Sequence, residues 1–345
     1  MNFKLLDQYY SLLKNSNFGL DLSPNAILNY FAYTCFKSNC EMKLFPSPPV
    51  VFIFATRQCN LNCNFCSIGN TKINSKKYDL TPIKYYKILN HSLLKKALLI
   101  NFLGGEPLLN ENICELISIT KKQKKLSCII TNGIILKDKW NDLLKSQVDD
   151  IQISIYNNTF NIFGDTLKLI NKEKQLNASY ILLKSDLYNN QTIIEQVIDF
   201  INFSNFKSLK INLCIPNIFN NFINEHLSSD DTEKYEQLKN KILKKYKKMK
   251  IFFPKIPNYD KNFQKKCRIP WSILHVDAFG NYGFCCKHQP DINNTDNNIF
   301  THNWEKVVNS NKFCKIRETL LSKDINVPKE CINCYHLFGS YSSNI

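Results

Sequence analysis

Six short apolar runs recur between Val50 and Ile215: VVFIFAT, ALLINFLGG, LSCIITNG, DIQISIY, ASYILLK and LKINLCI. Between them lie stretches with apolar residues at helical spacing, near 81–96, 111–124, 136–146, 161–175 and 191–203. Short apolar runs of this kind are what buried strands carry, and helical crossovers join such strands in parallel. The chain is therefore α/β, with six parallel strands in a β/α array. A long polar helix over 229–250 ends that rhythm. From Ile251 onward short strands, turn residues and cysteines take over. Three parts follow: a helical N-terminal extension over 1–48, patterned on Phe3, Leu5, Leu6, Tyr9, Leu12 and Leu13 and closed by FPSPP; the β/α array over 49–250; and a second module over 251–345.

A chain of 345 residues, 44% hydrophobic and 21% charged, has the apolar content of a globular protein. Its formal charge of +16 invites a nucleic-acid reading. Only Arg57, Arg268 and Arg317 among its 45 basic residues are arginine, however, and Asn and Ile are abundant, as in an A/T-rich coding sequence. Lysine pairs such as Lys244-Lys245 and Lys247-Lys248 then read as solvated helix faces, and nucleic acid is not an expected partner. Conversely, glycine and arginine should survive where their physics is needed. Gly104, Gly105, Gly133 and Gly280 fall inside the motifs below, and Arg57 and Arg268 each stand within two residues of a cysteine. With no export signal and no long apolar span, the chain has no expected transmembrane segment and is expected in the cytoplasm. Its 14 cysteines there point to metal or catalysis rather than disulfides.

Three of those cysteines, in Cys59-x3-Cys63-x2-Cys66, occupy the loop after the first strand. A structural zinc ion normally takes four ligands. A [4Fe–4S] cluster held by three leaves one iron open to another molecule. The spacing, with aromatic Phe65 before the last cysteine, resembles the signature of the radical S-adenosylmethionine superfamily. FLGGEPLLN after the second strand resembles that family's segment for the cofactor's amino group, with Gly104 and Gly105 allowing close backbone approach and Glu106 as an anion suited to an ammonium. Asn132 in IITNG and Ser154 in IQISIY resemble further cofactor-facing positions. They lie at strand C-termini, where a parallel β/α barrel places its chemistry. Each also has an ordinary reading, as turn residue or satisfied strand hydroxyl.

The resemblance continues in the second module. Cys267-x12-Gly280-x4-Cys285 followed by Cys331-x2-Cys334 resembles a twitch or SPASM auxiliary-cluster module, in which a hairpin turning at Gly280 brings Cys285 back beside Cys267. The chain lacks the further cysteines of a complete SPASM module, so the shorter twitch form is implied. Four thiolates fully ligate one cluster, although they suit a structural zinc ion equally well. Cys286 reads as a buried bystander. Cys35, Cys40, Cys114, Cys128, Cys214 and Cys314 lack ligand spacing and read as small core residues.

The resemblance implies a partial (β/α)6 TIM-like barrel with a small C-terminal auxiliary-cluster module. Its cofactors would be a [4Fe–4S] cluster on Cys59, Cys63 and Cys66, S-adenosylmethionine, and a second [4Fe–4S] cluster on Cys267, Cys285, Cys331 and Cys334. A flavodoxin- or ferredoxin-type donor would supply the electron that cleaves S-adenosylmethionine, and the resulting 5′-deoxyadenosyl radical would take a substrate hydrogen. The expected reaction is dehydrogenation of a polyol, sugar or amino-sugar, as in the 2-deoxy-scyllo-inosamine dehydrogenase type, with the second cluster accepting the remaining electron. Peptide modification is the alternative. A non-enzymatic iron–sulfur or zinc scaffold that binds a partner is the reading from outside enzymology, and iron against zinc content separates it from the others. The catalytic acid or base is not legible.

Overall fold

The structure, a computed structural model, describes residues 23–29, 48–66, 73, 75–156, 174, 176–204, 206–215, 223–258, 263–285, 287–290, 298–303, 308–323, 326–328 and 331–338. The N-terminal pattern from Phe3 to Leu13, Cys35, Cys40, most of the helix expected near 161–175, and Cys286 lie outside them.

All six expected strands form: β1 (Val50–Thr56), β2 (Leu99–Gly104), β3 (Leu126–Thr131), β4 (Asp150–Ile155), β5 (Asn177–Leu182) and β6 (Ser208–Leu213). Each pairs in parallel with the next. The crossovers carry α1 (Pro82–Asn90), α2 (Ile113–Lys122), α3 (Leu136–Lys145), a short α4 (Lys184–Asn189) and α5 (Gln191–Phe203), and α6 (Thr232–Lys245) follows β6. Helix α1 starts where Thr81 accepts a hydrogen bond from the Lys84 amide with Pro82 in the first turn, a common N-terminal arrangement. The fold is a partial, TIM-like β/α barrel, as expected.

The sheet extends beyond the six strands at both edges. Ile251–Phe252, where the second module was expected to open, adds a short parallel strand β7 beside β6. At the other edge β8 (Ile273–Val276) pairs in parallel with β1, and β9 (Tyr282–Gly283) turns back antiparallel on β8. One nine-stranded sheet, in the order β7-β6-β5-β4-β3-β2-β1-β8-β9, thus carries barrel and C-terminal module together. Short α7 (Ile269–Ser272) leads into β8, and α8 (Asn311–Leu321) packs Phe313 edge-on against Tyr282 and Phe284.

The outward faces of the strands and the helices share the main core, with Ile53, Phe102, Ile153 and Ile211 among its fully or almost fully buried members. A second, smaller core closes the end where the strands begin. There Ala26, on a short helix over 24–29, packs with Val50, Leu99, Leu126 and Cys128. Asn29 Nδ2 donates to the Lys96 carbonyl at 3.2 Å, and buried Lys125 donates to the Lys95 and Ala97 carbonyls, each at 2.7 Å. With that end plugged, the strand C-termini form the open face among the described residues. Among the described residues no helix is long and apolar enough to cross a membrane.

Candidate active site

The loop after β1 is held by polar residues that are themselves buried. Thr56 Oγ1 donates to Asp79 and accepts from the Gln58 amide, while Gln58 Nε2 donates to both Asp79 oxygens at 3.0 Å. Asn110 Nδ2 donates to the carbonyls of Ala55 at 2.7 Å and Leu80 at 3.0 Å. The glycine pair then lies directly on this loop: Gly105 N–H donates to Thr56 O at 3.0 Å and Glu106 N–H to Gln58 O at 2.7 Å. A Cβ on Gly104, whose φ is +146°, would stand 2.2 Å from Thr56 O, and one on Gly105 would stand 2.1 Å from Gln58 O. The close approach these glycines permit is therefore, first of all, to the backbone leading into Cys59.

Cys59, Cys63 and Cys66 line a cavity of about 310 Å³ at the strand C-termini. Four other expected cofactor contacts of the barrel share it, namely Gly104, Gly105, Asn132 and Ser154, together with Phe65, whose ring lies 5.2 Å from that of Tyr156. The Cys59 sulfur accepts from the Leu61 amide at 3.5 Å, a contact suited to a thiolate. Asn132 Nδ2 donates to Asn60 Oδ1 at 2.7 Å, tying the turn after β3 to the cysteine loop. Ser154 Oγ, of the lining, lies 3.3 Å from Ser179 Oγ behind it on the neighbouring strand.

Glu106 sits differently from its expected place. It is 1% exposed and absent from the described lining. Its Oε1 accepts from Thr131 Oγ1 at 2.7 Å and the Leu108 amide at 3.0 Å, and its Oε2 from the Asn132 amide at 2.7 Å. Burial pushes its carboxyl up to about 7, against the pull of those three donors. The side chain braces the turn after β2 against the turn after β3, which fixes Asn132 in the cavity wall.

The far wall comes from residues that spacing did not single out. Asn212, Cys214 and Tyr335 all line the cavity. Cys214 is buried, as expected, and following β6 it also borders the cavity; burial raises its thiol to about 11. Its position just past a strand C-terminus is the signal that would have found it, the same one that picked out Asn132.

A second cavity gathers Cys267, Cys285, Cys331 and Cys334, the four cysteines expected to act together. Burial raises Cys267 and Cys285, and the neighbouring cysteines push them further. The hairpin geometry is as expected: Gly280, at φ +82°, donates to Asp277 O at 3.0 Å, and Cys285 forms a bridge with His288. The Arg268 guanidinium lies 5.9 Å from the Trp271 ring centroid, and fully buried Arg317 donates to the carbonyls of Pro270 at 3.3 Å and Val308 at 2.8 Å, fastening α8 to α7. Among the described residues no three His, Cys, Asp or Glu side chains converge as a single-ion site. Four thiols around one apolar cavity are a donor set that a fully ligated cluster or a zinc ion could use.

Residues 53–182 match the sequence profile of the Radical SAM superfamily. This part of the chain is a radical SAM domain. A radical SAM domain works with a [4Fe–4S] cluster and S-adenosylmethionine, and the three thiols of the Cys59–Cys66 loop fit a cluster with one iron left open. Among curated relatives, the PqqA peptide cyclase of Gluconobacter oxydans is 30% identical over 111 residues, 32% of this chain and 31% of that protein. The GTP 3′,8-cyclase of Chlorobaculum tepidum is 32% identical over 108 residues, 30% of this chain and 32% of that protein. The chain thus spans about a third of the length of each. Among solved structures, Streptococcus suis SuiB bound to S-adenosylmethionine aligns with a TM-score of 0.63 at 17% identity, over 97% of this chain and 82% of that one. At that identity the likeness is one of fold.

Proposed function

We propose that this chain is a radical SAM oxidoreductase that takes a hydrogen atom and then one electron from a single substrate carbon. The observation that carries this reading is the cavity's construction: Cys59, Cys63 and Cys66 form one wall, and Tyr335, the residue after Cys334, belongs to another. In this reading Cys59, Cys63 and Cys66 hold the open cluster, and Cys267, Cys285, Cys331 and Cys334 hold a second, fully ligated one. When bound, the open cluster and S-adenosylmethionine supply a 5′-deoxyadenosyl radical.

The chain's own residues then do three things. Gly104, Gly105 and Asn132 offer backbone and amide groups to the amino-acid end of the cofactor. Phe65 and Tyr156 exclude water beside the cysteine loop. Ser154, Asn212 and Tyr335 orient a substrate by hydrogen bonds. The module boundary near residue 251 and a flavodoxin- or ferredoxin-type donor belong to the same proposal.

No Asp, Glu, Lys, Arg or His side chain lines the cavity among the described residues. An uncharged reacting group would meet that lining without leaving an ion unpaired. This favours a neutral polyol or sugar over an amino-sugar or a nucleoside triphosphate. Peptide modification is the second reading. It is favoured by the aliphatic part of the lining, Leu61, Leu103, Ile130 and Ile181, and by the similarity to a peptide cyclase.

Iron content and 5′-deoxyadenosine test the proposal. Wild-type protein should bind about eight irons, as two cubane clusters require. Changing Cys59, Cys63 and Cys66 to Ala should halve that and abolish 5′-deoxyadenosine under dithionite. Zinc in place of iron, or undiminished cleavage in the triple variant, would overturn it.

A further inference from the structure

Among the described residues that line the 310 Å³ cavity, every one but Tyr335 comes from the barrel. Its chain neighbours Cys334 and His336 line the four-cysteine cavity instead. Three consecutive residues thus face two compartments. The Tyr335 ring is 4% exposed, stands 4.3 Å from the His336 ring between centroids, and its hydroxyl makes a long 3.4 Å contact with Asn212 Oδ1. Asn212 belongs to β6 and lines the same cavity.

The backbone that carries this ring is set by the turn that presents the cysteines. Cys334 N–H donates to Cys331 O at 3.2 Å and Leu337 N–H to Cys334 O at 2.9 Å. Lys266 N–H, beside Cys267, donates to Leu337 O at 2.8 Å. A shift of this turn large enough to rearrange Cys331, Cys334 and Cys267 must carry the Tyr335 ring with it, because a close-packed interior transmits displacement.

We propose that Tyr335 is a positioning residue which makes the shape of the substrate cavity depend on what the four-cysteine site holds. Filling that site fixes the turn, the turn fixes the ring, and the ring fixes Asn212 and the wall after β6. The substrate's reacting group, enclosed between the Cys59–Cys66 loop and Tyr335, is thereby held one side chain from Cys334. The inference rests on reading the four cysteines as an iron–sulfur site, and its test separates the two claims.

The test uses full-length protein with Cys59, Cys63 and Cys66 changed to Ala, so that only the four-cysteine site can load. Iron is counted, and amide hydrogen exchange is measured over residues 211–215 with and without reconstitution. Loading should slow exchange there by several-fold, and Tyr335→Leu, added to that background, should bind as much iron yet lose most of the slowing. Failure to bind about four irons would remove the iron–sulfur reading itself. Iron binding with unchanged exchange at 211–215 would overturn the positioning role while leaving that reading intact. This comparison needs no second variant, so it stands even if Tyr335→Leu misfolds. Equal slowing in folded Tyr335→Leu would also overturn it.

Discussion

Arg57, two residues before the first cavity cysteine, donates from Nη2 to the backbone carbonyl of Pro290 at 2.8 Å across 233 positions of sequence. The same nitrogen lies 3.9 Å from Asp277 Oδ2, and both side chains are almost wholly buried. The guanidinium also faces the Phe54 ring, 5.5 Å from its centroid. The cysteine loop and the hairpin of the second module are thus joined by one side chain whose planar fork serves a carbonyl, a carboxylate and a ring together.

Arg57→Lys keeps the charge and loses the fork. The variant should be less stable by about 1–3 kcal/mol, the scale of a buried hydrogen bond to a charged group. Thermal or denaturant unfolding measures this, and wild-type stability would reduce Arg57 to a replaceable cation.

Gly105→Ala puts a methyl 2.1 Å from Gln58 O and 3.0 Å from Arg57 O, so the backbone leading to Cys59 must move. Iron should fall toward half as the three-cysteine site fails, with a stability loss of about 1–3 kcal/mol from overpacking. Full iron occupancy in folded variant protein would contradict this account of the glycine pair.

Glu106→Gln places an amide NH₂ where Oε2 now accepts from the Asn132 amide. Leaving that donor facing another donor should cost about 1–3 kcal/mol. Unfolding and S-adenosylmethionine affinity are read together. Lost affinity at unchanged stability would return Glu106 to the cofactor's ammonium and remove it as a brace.

His275 is buried on β8 between Phe52, at 4.9 Å between ring centroids, and Phe54, at 5.9 Å. Burial depresses its imidazole to about 3, so the folded protein holds it neutral. Below about pH 6.5 the unfolded chain takes up a proton that the folded chain refuses, and stability falls as pH falls. Between about pH 6.5 and 5 the loss from this one group is about 1.5 kcal/mol. Comparing denaturant unfolding of wild type and His275→Phe at those two pH values isolates it from the carboxylates. An unchanged difference would mean that His275 finds a partner when protonated.

The legible parts of the molecule were those whose physics is local. Each of β1 to β6 announces itself by a short stretch rich in apolar residues, and the cysteine spacings place their own sulfurs. Asp79 and Asn110 give no such signal, because their work is done through hydrogen bonds to residues 23 and 55 positions away. Cys214 was read as a small core residue and is buried, but that it also borders the cavity is decided by the strand it follows, which spacing does not show. Glu106 was legible as an anion suited to an ammonium, but its three protein donors were not, since they are assembled by β2 and β3 lying side by side. Strands β7 and β9, two residues each, are too short to carry a pattern.

The parallel pairing of β8 with β1 makes β1 an interior strand of the sheet. If the chain were cut after α6, the N–H and C=O groups along Val50–Ile53 that now face β8 would become an open, strongly apolar border, the kind that recruits strands from other molecules. The C-terminal third is in that sense the barrel's own hem: without it, the barrel would be left seeking β-pairing with its copies.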